Sequence, residues 1–425
     1  MQVAAIKELE ARASQAKAAS KRLTLTPTRV KNDALLSIAQ ALLDKEDFIL
    51  RNNEKDYKEA EASGMNTSML DRLMLDSTRL KDISRDVITV ASLPDPVGEV
   101  IEERTLPNGL VLSKRRVPLG VIGAIYESRP NVTVDISVLC LKAGNAVILR
   151  GGKESYRSNL SLANIVQEAA YKDGIPSGSV QFIESTDRSL VDHMLKMKEY
   201  IDLIIPRGGA DLIKSVRDNA TMAVVAGGIG VCHQYVDKSA DPNKAVAIAY
   251  NAKVQRPTVC NALDCVLVHK DIASKFLPML AREWAKAGVE MHGDERSMEI
   301  LKSLPGIKLK AAVDGDWGKE FLALIGAIKV VDSLDEAIGH IDRYGSGHSE
   351  AIIAEDKTAI ERFLNEVDAA CVYANASTRF TDGGQFGMGA EIGISTQKFH
   401  ARGPMSLKEI TSYKWCILGN GQVRP

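Results

Sequence analysis

From residue 121 onward, short apolar runs alternate with amphipathic stretches. Residues 121–126 (VIGAIY), 146–149, 180–183 and 201–205 are almost wholly apolar, as strands covered on both faces are. Between them, residues 133–143, 158–172, 187–198 and a stretch ending at Asp218 are patterned as helices, with Gly144 and Asp173-Gly174 as stop signals. The alternation predicts a doubly wound α/β domain, with ligands at the carboxyl ends of its strands.

The flanking segments differ. Residues 1–23 are rich in Ala, Lys and Glu, and 30–51 place Val30, Leu35, Ile38, Leu42 and Ile49 near one helical face. These helices are scaffold and carry no visible chemistry. Pro107-Asn108-Gly109 separates strand-like 100–106 from 110–117, a strong hairpin signal. The second half predicts helices at 243–253, 272–287, 295–303 and 359–367 and strands at 263–269, 328–331, 351–354 and 370–374. Ser333 and Glu336 have capping-box spacing ahead of a helix to Tyr344. Residues 411–423 read as a strand-like tail.

Composition narrows the classes. The 425 residues suffice for two domains and a small appendage. Lys+Arg 54 against Asp+Glu 55 gives no field to hold nucleic acid or an anionic membrane. Aromatics at 5% argue against stacking platforms for single strands. The six cysteines form no CxxC or Cys/His metal pattern, so no metal is expected. With no apolar run of membrane-spanning length and no signal peptide, the expectation is a reduced, cytoplasmic protein.

One cysteine stands out. Pro257 must end the helix that precedes it, so the chain turns just before Cys260. Lys253 and Arg256 are cationic neighbours in sequence, and cations favour the nucleophilic thiolate. A lone cysteine is also a common inert core residue, and spacing alone leaves both readings open. Two loops follow strands of the predicted sheet: Arg150-Gly151-Gly152-Lys153, with two cations, and Pro206-Arg207-Gly208-Gly209, which opens a helix whose amides can face phosphate. Neither is a dinucleotide-binding fingerprint, and surface charges on plain turns would look the same.

Asn251-Ala252-Lys253, then Gln255-Arg256-Pro257-x-x-Cys260-Asn261-Ala262, resembles the nucleophile segment of the gamma-glutamyl phosphate reductases of the aldehyde dehydrogenase superfamily. The resemblance covers nearly the whole chain. Gly-rich 380–396 and His400-Ala401-Arg402-Gly403-Pro404-Met405 share it, and are unlike ordinary aldehyde dehydrogenases. It implies an aldehyde dehydrogenase-like α/β fold: a doubly wound cofactor domain at 1–237, a catalytic domain at 238–377, and 378–425 returning to the first. The hairpin at 98–120 would belong to a small β oligomerisation arm, and the chain would be a homo-oligomer.

The implied reaction is NADPH-dependent reduction of L-glutamyl 5-phosphate to glutamate 5-semialdehyde and phosphate, through a Cys260 thioester, in proline biosynthesis. Asn131 would assist Cys260 as an oxyanion donor. Arg150, Gly151, Gly152, Lys153, Pro206, Arg207, Gly208, Gly209 and Glu320 would bind NADP(H), with Arg150 and Lys153 suited to a 2′-phosphate. Arg129, Asn261, Gly387 and Arg402 would meet the substrate. The superfamily's glutamate general base falls within 222–237, where this chain has only Val, Ala and Gly at the matching place. That loss suits acyl transfer between thiol and phosphate, which hydrolysis would waste. Glutamate 5-kinase is a conceivable partner because glutamyl phosphate is labile. Another aldehyde dehydrogenase with a different substrate, or a non-catalytic binding member, remains the alternative.

Overall fold

The computed structural model describes residues 2–424. They form two compact units: one is the chain up to Gly227 with Gly387–Gly393 and the residues from Pro404, the other Gly228–Phe386 with Ile394–Gly403.

The first unit opens with α1 (Gln2–Leu23), α2 (Thr28–Asp44), α3 (Glu46–Ala62), α4 (Thr67–Leu73) and α5 (Ser77–Ser92). The expected single helix over 30–51 is two helices, α2 and α3, broken at Lys45. Next come the hairpin strands β1 (Val100–Thr105) and β2 (Val111–Pro118). The α/β region follows: β3 (Val121–Tyr126), α6 (Asn131–Lys142), β4 (Ala146–Gly151), α7 (Tyr156–Lys172), β5 (Val180–Phe182), α8 (Ser189–Met194), β6 (Leu203–Arg207), α9 (Ala210–Asn219) and β7 (Ala223–Val224). The strands are parallel, in the order β5-β4-β3-β6-β7. The winding reverses between β3 and β6, where Tyr126 pairs with Arg207, and the crevice for a ligand in such a sheet lies beyond that point. Val121, Ile125, Ile148 and Ile204 pack with Leu9, Ala13 and Ala16 of α1 and Met194 of α8 in one buried cluster.

The second unit holds β8 (Cys232–Val236), α10 (Pro242–Val254), β9 (Leu263–His269), α11 (Lys270–Lys286), β10 (Glu290–Gly293), α12 (Glu295–Leu301), β11 (Lys308–Ala311), β12 (Ile325–Val331), α13 (Leu334–Tyr344), β13 (Ser349–Ile353), α14 (Lys357–Glu366) and β14 (Cys371–Ala374). Its seven strands are all parallel, in the order β11-β10-β12-β9-β8-β13-β14. Strand alternation divides the core: Val266 and Val268 face Phe276 and Trp284 of α11, while Cys265 and Leu267 face Ile338 of α13 and Phe363 of α14. The Ser333 hydroxyl caps α13 by accepting from the Glu336 amide, but Glu336 takes the Asp332 amide, so the expected box is only half formed.

Two short strands, β15 (Gly393–Ser395) and β16 (Gly403–Met405), pair with each other, and β17 (Thr411–Leu418) returns to pair antiparallel with β2. The resulting sheet, β1-β2-β17, is the small β arm expected of the hairpin. The first boundary falls at 227/228 rather than 237/238 because β8 is a central strand of the second sheet. Residues 378–386 and 394–403 also belong with the second unit, not with the first as expected.

Candidate active site

In the second unit the chemistry gathers at the amino ends of the strands. Gly230 precedes β8, Cys260 precedes β9, Glu320 precedes β12 and His348 precedes β13. The carboxyl-end rule applies to the first sheet, and this half of the candidate site lies at the opposite strand ends. Helix α10 runs out at Val254, and Val259 to Ala262 form a tight turn closed by the Ala262 amide on the Val259 carbonyl. Cys260 is half-buried on that turn. Cys140, Cys232, Cys265 and Cys371 are buried, and burial raises the first three thiols above their ordinary range. Cys232 donates to the Cys260 carbonyl at 3.2 Å.

Gly230 lies against the same peptide: a Cβ there would stand 1.7 Å from the Cys260 carbonyl oxygen. The Gly230 amide donates to Glu320 Oε1 at 3.1 Å. Glu320, expected at the cofactor, is thus bonded to the glycine that packs on the Cys260 peptide. Lys253 departs from expectation. It is fully buried, bonded to Asp264 at 3.4 Å and to the Ala323 carbonyl at 3.2 Å, because helical geometry turns it inward. Asn261, expected to bind substrate, is instead consumed in the protein. Its Nδ2 donates to the Thr381 carbonyl at 2.8 Å, and its Oδ1 accepts from Arg379 Nη1. Arg402 is paired with Asp368 at 2.7 Å. Gly387, in the first unit, has φ +73° with open space around it, a turn position in a Gly-rich segment.

A buried cluster behind the loop escaped the sequence pattern. His233, Cys265 and His340 each bring one atom within 4.8 Å of the others. His233 Nδ1 meets Glu350 at 3.1 Å, and His340 Nδ1 faces the Lys329 ammonium at 3.4 Å. Burial, with repulsion from His233 and Lys329, pushes His340 down to about 3, so its ring is neutral. An ammonium against a ligand ring opposes a dication, and the cluster reads as internal packing.

In the first unit the predicted cofactor residues line the ends of β4 and β6. Arg150, Gly151, Pro206 and Arg207 are strand residues rather than loop residues. Arg150 is 8% exposed and donates to the carbonyls of Gly151 (2.7 Å) and Thr186 (2.9 Å), which removes it as a simple 2′-phosphate cation. Lys153 is exposed. Two carboxylates, not foreseen, occupy the adjacent amides. Glu127 accepts from the Gly209 amide at 3.1 Å, and Glu154 from the Ser128 amide at 2.6 Å. A Cβ on Gly208 would meet the Glu127 carboxylate at 2.4 Å and one on Gly152 the Glu154 carboxylate at 2.1 Å, contacts that a swing of those flexible side-chain ends would relieve. The buried Nε atoms of Arg150 and Arg207 have no partner, as a site for an anionic cofactor would leave them. Exposed Lys153, the Arg207 donor and the two carboxylate acceptors fit an anionic, hydroxyl-bearing nicotinamide cofactor.

The loop after β3 holds Ser128 at φ +46°, then Arg129 and Pro130, and α6 begins at Asn131. The Asn131 amide donates to Asp135 Oδ2 at 2.8 Å, one helical turn on. An acceptor there fixes the orientation of the amide.

Both units have the architecture of nicotinamide-dependent aldehyde oxidoreductases, and the profile described as the aldehyde dehydrogenase family matches residues 1–300. A gamma-glutamyl phosphate reductase of Dehalococcoides mccartyi is 62% identical over 99% of both chains. One from Caldanaerobacter subterraneus is 55% identical over 98% of this chain and 100% of the relative. The crystal structure of gamma-glutamyl phosphate reductase from Thermotoga maritima superposes with a TM-score of 0.94 at 49% identity, covering 98% of this chain and 100% of that one. The chain belongs to the aldehyde dehydrogenase family and, within it, to the gamma-glutamyl phosphate reductases. It is an oxidoreductase of that family.

Proposed function

We propose that the chain reduces L-glutamyl 5-phosphate to L-glutamate 5-semialdehyde, releasing phosphate, as a step toward proline. The names of the relatives support the substrate. The observation that carries the mechanism is Cys260, half-buried on its own turn and packed against Gly230, which lies in a run from Gly228 to Val231 that contains no carboxylate.

The Cys260 thiolate attacks the acyl carbon. A C–S bond forms, the C–O bond to phosphorus breaks, and phosphate leaves with the electron pair. NADPH, when bound, supplies the hydride that reduces the thioester. Collapse of the thiohemiacetal breaks the C–S bond, returns the electron pair to sulfur and releases the aldehyde. Backbone amides of the Cys260 turn and the Asn131 side chain are the candidate oxyanion donors. Lys153 is the candidate partner of the 2′-phosphate, Glu127 and Glu154 of ribose hydroxyls, and Arg129 of a substrate anion. The exposed apolar faces of β1 and β17 are the candidate contact with a second copy of the chain.

The reaction is tested in reverse. Glutamate semialdehyde and NADP⁺ are mixed with the enzyme, with and without inorganic phosphate, and NADPH absorbance is followed. Turnover that needs phosphate is expected. Turnover without it makes water the acceptor, with Glu320 as the base to test, and overturns the reading.

A further inference from the structure

We propose that Arg379 is a positioning residue for Cys260: its guanidinium is the fixed positive charge that keeps the nucleophile as a thiolate. This rests on Cys260 being the nucleophile. Arg379 sits in a single 3-10 turn, Thr378–Phe380, capped by the Ser377 hydroxyl. The turn is stitched to the Cys260 loop at several points. Arg379 Nε donates to Gln255 Oε1 at 3.0 Å, and Nη1 to Asn261 Oδ1. The Thr378 hydroxyl donates to the Asn261 carbonyl at 2.8 Å, and Asn261 Nδ2 returns a bond to the Thr381 carbonyl at 2.8 Å. Asn261 directly follows Cys260, so turn and nucleophile are held as one body.

The side-chain acceptors described for the guanidinium, Gln255 and Asn261, are neutral amide oxygens, and the carboxylate that draws on its charge is Asp382. The charge is also partly desolvated. Burial disfavours the Arg379 cation most, attraction to Asp382 and Cys260 offsets this, and Arg256 adds repulsion. A cation held in a poorly solvated place acts on a thiol more strongly than a solvated one at the same distance. Of the two cations near Cys260 in sequence, Lys253 is spent on Asp264 and Arg256 is exposed to solvent, whereas the partly buried Arg379 is bonded directly to the Cys260 loop.

The test alkylates the full chain with iodoacetamide across pH 5.5 to 9.5, without substrate or cofactor, and quantifies the Cys260 peptide by mass spectrometry. An ordinary thiol titrates near about 8.5, and the native Cys260 is expected to titrate below that. Arg379→Gln should raise the midpoint by about one unit, slowing alkylation at pH 7 about tenfold. Gln255 is exposed, so Gln255→Glu places a carboxylate against the guanidinium without burdening the fold, and should shift the midpoint the same way. An unmoved midpoint in Gln255→Glu and in folded Arg379→Gln overturns the proposal. Phosphate-dependent turnover with an unmoved midpoint leaves the reaction standing and removes Arg379. A moved midpoint without turnover keeps Arg379 and removes the substrate.

Discussion

Gly230 and Cys260 are fitted to each other: the glycine Cα packs so closely on the Cys260 peptide that a Cβ would lie 1.7 Å from its carbonyl oxygen. The Gly230 amide is meanwhile anchored to Glu320. One hydrogen atom in place of a side chain therefore sets where the Cys260 turn can sit.

Gly230→Ala must push the two segments apart. Misplacing a reacting group by about 1 Å costs on the order of a hundredfold in rate. Reductase turnover should fall by about that factor or more. The core of the second sheet is untouched, so the melting temperature should drop by only a few degrees.

Cys260→Ser removes the thiolate and should lower turnover by at least about 10⁴-fold, measured under saturating substrate with the far-UV spectrum unchanged. Cys265→Ala is the control. Cys265 lies on β9 in the core, and its variant should keep turnover within a few-fold while losing some stability.

Asp135 gives a pH signature. Burial raises its carboxyl to about 7, opposed by Asn131 and Arg207 and reinforced by Asp86 and Glu391. The unfolded value is about 3.9. Between those limits the folded chain binds the extra proton, so this group makes stability fall as pH rises toward 7. Asp135→Asn cannot ionise and keeps an acceptor for Asn131. Its melting temperature should gain on the wild type from pH 5 to 7 and run parallel above. A constant offset over the whole range would show that Asp135 titrates normally.

The β arm predicts assembly. Tyr413, Trp415 and Ile417 alternate along β17 and are 51%, 40% and 58% exposed, an apolar stripe that a lone chain would leave in water. Trp415→Glu with Ile417→Glu should lower the sedimentation coefficient to that of one chain.

Much of the framework was legible from local pattern. The run VIGAIY at β3, the Asn-Gly turn and the Pro257 stop ahead of Cys260 each act within a few residues, where backbone sterics and burial periodicity decide. The aldehyde dehydrogenase fold and the reductase segments were legible by their resemblance to a known family, not from local pattern. The loops read for the cofactor do lie at the ends of β4 and β6, but Arg150 is bonded to backbone carbonyls instead of pointing into solvent. Its charge was visible in sequence, whereas the Gly151 and Thr186 carbonyls that engage it were not.

What only the tertiary structure decided is which charges meet. Lys253 lies seven residues from Cys260 and turns into the core, because its place on α10 faces Asp264. Arg379 lies far along the chain and is delivered to the Cys260 loop through Asn261. Glu127 reaches the Gly209 amide because β3 and β6, distant in sequence, are neighbours in the sheet. The chain by itself determined its elements and the turn that carries Cys260, since these depend on short-range pattern. The electrostatics around Cys260 depend on distances across folded space, which strand order and close packing alone define.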